Sequence, residues 1–263
     1  MTTSEIDSPA ADWARWHAER EEALAAPHGW LSLTALHWLD DQPRRFPGVP
    51  GEWRVADGAA SVTATAGEGL VVDGQELDGT AEVTVEEAGS TLFASYGDDV
   101  RAEVALRTGR YALRTRDPRA PARTGFPGVP AFEVRPKWVV DAEFTPYDEP
   151  RTVVVGGAQE GLRHNLVAAG EVWFTLDGAE QALVVSATAD GLAVLFRDGT
   201  NGDTTAPWRS LLTGAPQDGR VRIDFNRATN LPYAFSDHGT CPQPPEGNVI
   251  TIPVEAGERA PIR

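Results

Sequence analysis

The feature that most constrains this chain is a rhythm of short β-branched runs that begins near residue 52. Runs such as SVTATA, AEVTVEE and TLFASYG are separated by glycine and aspartate, which is the pattern of strands joined by tight turns. Asp73-Gly74 and Asp177-Gly178 each stand between two such runs, and Asp-Gly favours the two-residue type I′ hairpin turn. The pattern therefore predicts a mainly β chain of antiparallel strands.

A different pattern occupies the amino-terminal end of the chain. Residues 9–26, PAADWARWHAEREEALAA, are rich in helix formers, and Trp13 and Trp16 fall close to helical spacing. Pro27 and Gly29 follow directly and are typical of a helix end. We therefore expect an amino-terminal helix, with a serine or aspartate near its start as the cap.

Two further segments bear on the organisation of the chain. The apolar stretch GWLSLTALHWL, residues 29–39, fits either a short helix or a buried strand. Residues 118–130 hold four prolines and two glycines, which disfavours a continuous element and marks a boundary or crossover. We expect an antiparallel β-sandwich or barrel-like fold with an N-terminal α-helix, either as one domain or as two packed β subdomains. The subdomain version has a disordered N-terminus at residues 1–8, the helix and first β subdomain at 9–120, and the second β subdomain at 121–263.

Composition narrows the classes of partner and location. A formal charge of −16 without a local basic stripe disfavours nucleic acid and anionic membrane surfaces. A single cysteine forms no internal disulfide, and neither a secretory leader nor an 18-residue apolar run is seen, so we expect a cytoplasmic protein. The dinucleotide and Walker glycine motifs are missing, so we expect no organic cofactor. A monomer or weak homodimer with a small-molecule ligand is the expected state.

Polar chemistry is concentrated in one segment, RIDFNRATNLPYAFSDHGTCPQPPEGN, residues 222–248. RIDF reads as a strand that passes into a proline-stiffened loop, which is how rigid scaffolds present binding side chains. Strand periodicity places Asp224 and Asn226 on one face and Phe225 and Arg227 on the other. We therefore treat this segment as the candidate site.

The quoted motifs resemble a known family. The segments GWLSLTALHWL, RYALRTRDPRAP and RVRIDFNRATNLPYAFSDHGTCPQPPEGNVITIPVEAGE are similar to the DUF1684 family of uncharacterised bacterial and archaeal proteins. The chain departs from the family pattern at Leu231 and Tyr233, where proline and cysteine are expected. The resemblance implies a location for function but no reaction, substrate or cofactor. The residues that match it are Arg116, Asp117, Arg209, Asp224, Asn226, Arg227, Asn230, Cys241, Asn248 and Glu258.

Each candidate also has a structural interpretation. Asp224, Asn226 and Asn230 fit Asx turns that bond only to the backbone. Arg116 fits an anchor for the proline-rich segment, and Cys241 fits a small buried hydrophobe rather than a thiolate nucleophile activated by a neighbouring histidine. One His-x-x-Cys pair falls short of the two pairs typical of structural zinc, so we predict no metal site.

Two function classes follow from these residues. The first is a small-molecule enzyme, with hydrolysis as the least demanding reaction, in which Asp224 or His238 is the acid or base. The second is a non-catalytic module that binds a small molecule or a peptide. The sequence leaves open whether the chain is an enzyme. In either case the predicted substrate-binding residues are Arg116, Arg209, Asn226, Arg227, Asn230, Tyr233, Cys241 and Asn248.

Overall fold

The computed structural model describes residues 8–262, which are mostly antiparallel β-structure and divide into two compact units. The closed-sheet unit comprises the chain up to Glu22, Pro127–Ala234 and Cys241–Arg263. The two-sheet unit comprises Ala23–Phe126 and Phe235–Thr240. The prediction of a mainly β fold with an amino-terminal helix is confirmed. The predicted disordered N-terminus, residues 1–8, lies outside the described residues except for Ser8.

The amino-terminal helix, α1, spans Pro9–Leu24. Its start is capped by Ser8, whose hydroxyl accepts a hydrogen bond from the main-chain nitrogen of Ala11 at 3.2 Å. The helix ends two residues before the predicted end. A Cβ on Gly29 would lie only 2.6 Å from the carbonyl oxygen of Leu24, so glycine lets the chain turn back against the last helical residues. Within residues 8–262, every helix is too short or too polar to cross a membrane.

The ambiguous apolar stretch contains both a helical turn and a strand. Trp30–Ser32 form a 3-10 turn, and a strand begins at the next residue. In this two-sheet unit a four-residue helix, α2 (Pro121–Thr124), falls in the proline-rich segment, where one of the four boundaries between the units also lies, at residues 126–127.

The two-sheet unit holds the first ten strands of the described chain. One sheet has the order β1-β10-β9-β8-β5-β6 and the other the order β2-β3-β4-β7, and Trp53, Val62 and Leu113 lie in their common core. The strands are β1 (Leu33–Trp38), β2 (Arg44–Phe46), β3 (Val49–Ala56), β4 (Ala59–Ala64), β5 (Val71–Val72), β6 (Gln75–Glu76), β7 (Gly79–Val83), β8 (Ser90–Tyr96), β9 (Val100–Arg107) and β10 (Arg110–Arg116).

The closed-sheet unit contains one six-stranded antiparallel sheet with the order β15-β14-β13-β12-β11-β16. The end strands β15 and β16 also contact each other, so the sheet curls round until it nearly closes. Its inner face surrounds a core that includes Trp138, Phe174, Phe196 and Phe225. The strands are β11 (Val139–Gly156), β12 (Arg163–Leu176), β13 (Ala179–Ala187), β14 (Gly191–Phe196), β15 (Arg209–Gly214) and β16 (Arg220–Asp224).

Both predicted Asp-Gly hairpins are present. Asp73 and Gly74 join β5 to β6 with φ angles of 49° and 78°, and Asp177 and Gly178 join β12 to β13 with φ angles of 48° and 81°. Two successive positive φ angles are the signature of the type I′ turn. The dipeptides therefore fix where these strands pair.

Candidate functional site

The carboxyl end of β16 is a tightly bonded corner. The strand stops at Asp224, and Phe225–Arg227 form a 3-10 turn. One carboxylate oxygen of Asp224 accepts hydrogen bonds from both the main-chain and side-chain nitrogens of Asn226, at 3.0 and 2.9 Å. The sequence prediction that strand periodicity continues through residue 226 is wrong, because the Asp224 cap starts the turn. These two side chains meet through that cap.

Helix α1 packs against this corner within the same unit. The indole nitrogen of Trp13 donates to the carbonyl oxygen of Asn226 at 2.6 Å. The guanidinium of Arg227 forms an ion pair with Asp12 and lies over the ring of Trp16, 5.1 Å from its centre. The amino-terminal helix therefore supplies one wall of the candidate site.

The nearly closed sheet has an open seam between β15 and β16. The main-chain N–H and C=O groups of Ser210 exchange two hydrogen bonds with Thr229, so they point away from β14. Because these groups alternate in direction along a strand, those of Leu212 also point away from β14 and toward the seam. The main-chain groups of Arg220 bond to those of Gln217 in the hairpin loop, so they point away from β11. By the same alternation, the main-chain N–H and C=O groups of Arg222 point toward the seam. Neither Leu212 nor Arg222 has a main-chain hydrogen bond across the seam among the described residues.

A long groove follows the seam. Its larger part has a cavity volume of about 910 Å³ and lies between the start of helix α1, the end of β15 and the corner after β16. A second part of about 500 Å³ continues toward the β15–β16 hairpin, and Asp141, Gly214 and Arg222 line both parts. The lining of the two parts thus forms one continuous surface, which we call the groove.

Charges of both signs line the groove. Arg227 lies between Asp12 and Asp224, the second at 3.7 Å, and Arg135 pairs with Glu133. Arg222 has no carboxylate within 4 Å among residues 8–262, although Asp141 faces it across the β11–β16 pair. A guanidinium that forms no ion pair within residues 8–262 is suited to a ligand carboxylate.

A second group of polar residues lies inside the closed-sheet unit, where water does not reach. We call Arg209, Asp198, Asn230 and Glu258 the buried polar centre. Arg209 is fully buried, contacts Asp198 at 2.8 Å and donates to the carbonyl oxygens of Val254 and Ala256. Burial lowers the pKa of Arg209, and the carboxylate of Asp198 opposes that effect. The arginine thereby holds together strand β15 and the carboxyl-terminal segment.

Glu258 completes this centre. Its carboxylate accepts hydrogen bonds from the main chain of Asn230 at 2.6 Å and from Arg20 of helix α1 at 3.2 Å. Burial raises the pKa of Glu258, although Arg20 and the Asn230 amide partly offset the increase. The preceding Gly257 has a φ of 73°, and a Cβ there would lie 2.5 Å from the carbonyl oxygen of Ala228. The Ala-Gly-Glu motif is therefore a structural requirement.

The proline-rich loop after residue 240 is also pinned by hydrogen bonds. The side chain of Asn248 accepts from the main chain of Val184 and donates to the carbonyl oxygens of Val184 and Leu195, each at 2.8 Å. The carbonyl of Cys241 accepts from the main chain of Ala158. These bonds tie the loop to the main chains of β13 and β14 and of Ala158.

Tyr233 has a comparable structural position. Its ring stacks on Trp208 with ring centres 3.7 Å apart, and its hydroxyl bonds to the main-chain nitrogen and oxygen of Trp208. Burial raises the pKa of Tyr233. The departure from the family pattern at this position thus brings a phenol into a well-packed site.

Two of the predicted site residues belong to the two-sheet unit. Arg116 is buried there, donates to Glu103 at 2.7 Å and donates to the carbonyl oxygens of His28 and Gly29. Burial alone raises the pKa of Glu103, but its arginine partners outweigh burial and hold that pKa low. His238 lies near His37, whose pKa is lowered first by burial and then by the charge of His238.

The predicted site residues thus divide into groups. Those that line the groove are Asp224, Asn226 and Arg227; Arg209 and Asn230 lie in the buried polar centre; Tyr233, Cys241 and Asn248 hold loops; Arg116 and His238 belong to the two-sheet unit. Their catalytic and binding roles stay predictions. In residues 8–262, no group of three or more metal-ligating side chains comes together.

Sequence reasoning missed several residues that shape the site. Asp198, Leu212 and the first turn of helix α1 were not among its candidates, and Arg222, the first residue of the candidate segment, was assigned no role. One signal was available for Leu212 and Arg222. Each alternates with an inward-facing strand residue, Leu211 or Ile223, so each was due to point outward at the sheet surface.

Comparisons with known proteins agree with the motifs. The family model described as a protein of unknown function, DUF1684, matches residues 124–259. The solution NMR structure of an uncharacterised protein from Haloarcula marismortui is 30% identical, with a TM-score of 0.44, over 52% of this chain and 78% of that chain. No curated protein matches the chain at a significant level.

Proposed function

The chain belongs to the DUF1684 family of proteins of unknown function, and from that premise we propose that its closed-sheet unit is a non-catalytic module that binds an extended peptide. The peptide lies in the groove beside the seam. It hydrogen-bonds along the unpaired edge of one seam strand, β15 or β16, so that it adds a short strand to the sheet.

The observation that carries this proposal is that the main-chain N–H and C=O groups of Leu212 and Arg222 form no hydrogen bond across the seam among the described residues. An exposed strand edge presents donors and acceptors at a spacing that only another extended chain matches. The seam is bounded by the Ser210–Thr229 bridge at one end and the Gln217–Arg220 turn at the other. Between these limits only a segment of about four to six residues fits, at roughly 3.3 Å per residue.

Side chains beside the seam indicate what the peptide carries. Leu212 is 68% exposed, so its side chain offers an apolar contact at the surface. Arg222 offers a guanidinium without an ion-pair partner in the described chain. We therefore expect a peptide with an apolar residue near Leu212 and an acidic residue near Arg222.

The geometry of the acidic residues favours binding over hydrolysis. One oxygen of Asp224 is occupied by the Asn226 nitrogens, and the other faces Arg227. The predicted alternative acid or base, His238, belongs to the two-sheet unit. A general base needs a carboxylate or imidazole directed at the ligand, and Asp224 instead caps a turn and faces an arginine.

The test uses a fluorescent hexapeptide library screened by polarisation against the whole chain. For the tightest peptide, single N-methylation should weaken binding about tenfold or more at alternate amides and about twofold or less at the amides between them. Alternation is expected because only every second residue of an added strand bonds to a given neighbour.

A matched pair of variants places the site. Arg222→Ala should weaken the binding of acidic peptides, whereas Arg151→Ala, at an exposed arginine of the same unit outside the groove lining, should leave it unchanged. The proposal fails if no hexapeptide binds, or if N-methylation has the same effect at every position.

A further inference from the structure

The outer face of the closed sheet carries apolar side chains where a solvent-facing sheet usually carries polar ones. On β13 and β14 the inward residues Leu183, Val185 and Val194 fill the core. The alternate residues Val184 and Leu195 point to the opposite face and are also apolar and partly buried. A second apolar surface therefore lies behind the core.

The proline-rich loop covers part of this surface. Pro245 is buried over it. The loop is fixed on one side of Pro245 by Asn248, through Val184 and Leu195, and on the other by Gln243, whose main-chain nitrogen donates to the carbonyl of Gly156 at 2.8 Å. A roof held on both sides forms before any ligand arrives, so binding does not have to order it.

Under this roof lies a pocket of about 170 Å³. Val153, Leu166, Val184, Leu195 and Pro245 contribute most of its apolar wall. Ser186 is the polar side chain in the lining, and its hydroxyl has no hydrogen-bond partner among residues 8–262. A dry apolar cavity of roughly 150 Å³ is large enough for one benzene-sized molecule.

We infer that this pocket is a second binding site, independent of the peptide groove, for a small apolar molecule with one hydrogen-bonding group. The ligand is a ring or branched chain of about six to eight non-hydrogen atoms, given the volume. Its polar group pairs with Ser186, because one hydroxyl in an apolar wall orients the ligand without requiring a charge.

Methyl NMR tests the inference with phenol and toluene as probes. Both should cause saturable shifts in the methyl signals of Val184, Leu166 and Leu195, and leave methyls of the two-sheet unit unchanged. Ser186→Ala should weaken phenol binding about fivefold, the loss of one neutral hydrogen bond, and should not weaken toluene binding.

A blocking variant supplies the second arm. Ala193 lines the same pocket, so Ala193→Phe should fill it and abolish the shifts with both probes while peptide binding at the groove is kept. If Ala193→Phe does not fold, Ser186→Leu serves the same purpose. Shifts that do not saturate, or that persist in a folded blocking variant, overturn the inference. Failure of the wild-type chain to bind any peptide bears only on the proposed function.

Discussion

The buried polar centre and the groove lie in the same unit, and both contain arginine and aspartate, but these residues have different roles in the two regions. In the centre, Arg209 and Asp198 are fully buried and paired with each other. In the groove, Arg222 is exposed and no carboxylate lies within 4 Å of it among residues 8–262. Charges enclosed without water must be matched by protein groups, whereas charges at the surface keep their water until a ligand replaces it. The first kind of site determines stability and the second determines recognition.

This contrast changes how the motif at residues 224–258 is interpreted. Glu258 bonds to a buried main-chain group, and Asn230 and Asn248 bond to partly buried ones, so these side chains are structural ties. The side chains that remain available to a ligand, Leu212 and Arg222, lie on the neighbouring strands and were not among the predicted site residues. Concentrated polar residues in a sequence thus mark the neighbourhood of a site more reliably than its contacts.

The largest expected effect is the loss of Arg209. Arg209→Ala leaves Asp198 buried without its partner, which should lower the free energy of unfolding by about 3–5 kcal/mol, as measured by urea denaturation. Arg135→Ala, which removes an exposed pair with Glu133, should change it by less than about 1 kcal/mol. If the two variants lost similar amounts of unfolding free energy, the buried polar centre would not be more important for stability than the groove.

Asn248→Ala should be the next most damaging change. It removes three hydrogen bonds and leaves partly buried main-chain groups of Val184 and Leu195 without partners, a cost of about 2–3 kcal/mol. Urea denaturation measures it, with Asn165→Ala on the exposed face of β12 as the control, expected within about 0.5 kcal/mol of wild type. A tolerant Asn248 would mean that the loop is not docked by this side chain.

Glu258 gives the centre a dependence on pH with a defined sign. Burial raises its pKa above the ordinary 4.5, so the folded chain holds this proton more tightly than the unfolded chain. The associated stability is complete below pH 4.5 and is lost as pH rises through the raised pKa. The free energy of unfolding of wild type minus that of Glu258→Gln should therefore fall as pH increases from below 4.5. A difference that grows with pH contradicts this assignment.

Arg222→Ala should have the smallest effect on folding, within about 0.5 kcal/mol of wild type by urea denaturation. Its effect should be on binding, with an acidic hexapeptide losing about tenfold in affinity because a charge-assisted hydrogen bond is removed. Arg222→Lys should recover part of the loss. A large loss of unfolding free energy in Arg222→Ala would instead show that Arg222 has a structural role.

The sequence predicted helices, turns and strands well where residues close together in the chain determine them. The helix, the two Asp-Gly hairpins and the strand at RIDF depend on neighbours in the chain, and all are present. Continuation of that strand through Asn226 failed because the Asp224 cap overrides strand periodicity. The partners of Arg209 and Asn248 could not be predicted, since Asp198, Val254 and Val184 lie 11 to 64 residues away and only the fold brings them together.

The contact between Arg20 and Glu258 joins residues 238 positions apart. During synthesis on the ribosome, helix α1 emerges long before the strands and the glutamate that it packs against. The closed-sheet unit therefore cannot finish folding until translation has passed Glu258, and the side of the helix that carries Trp13 stays without its packing partner until then.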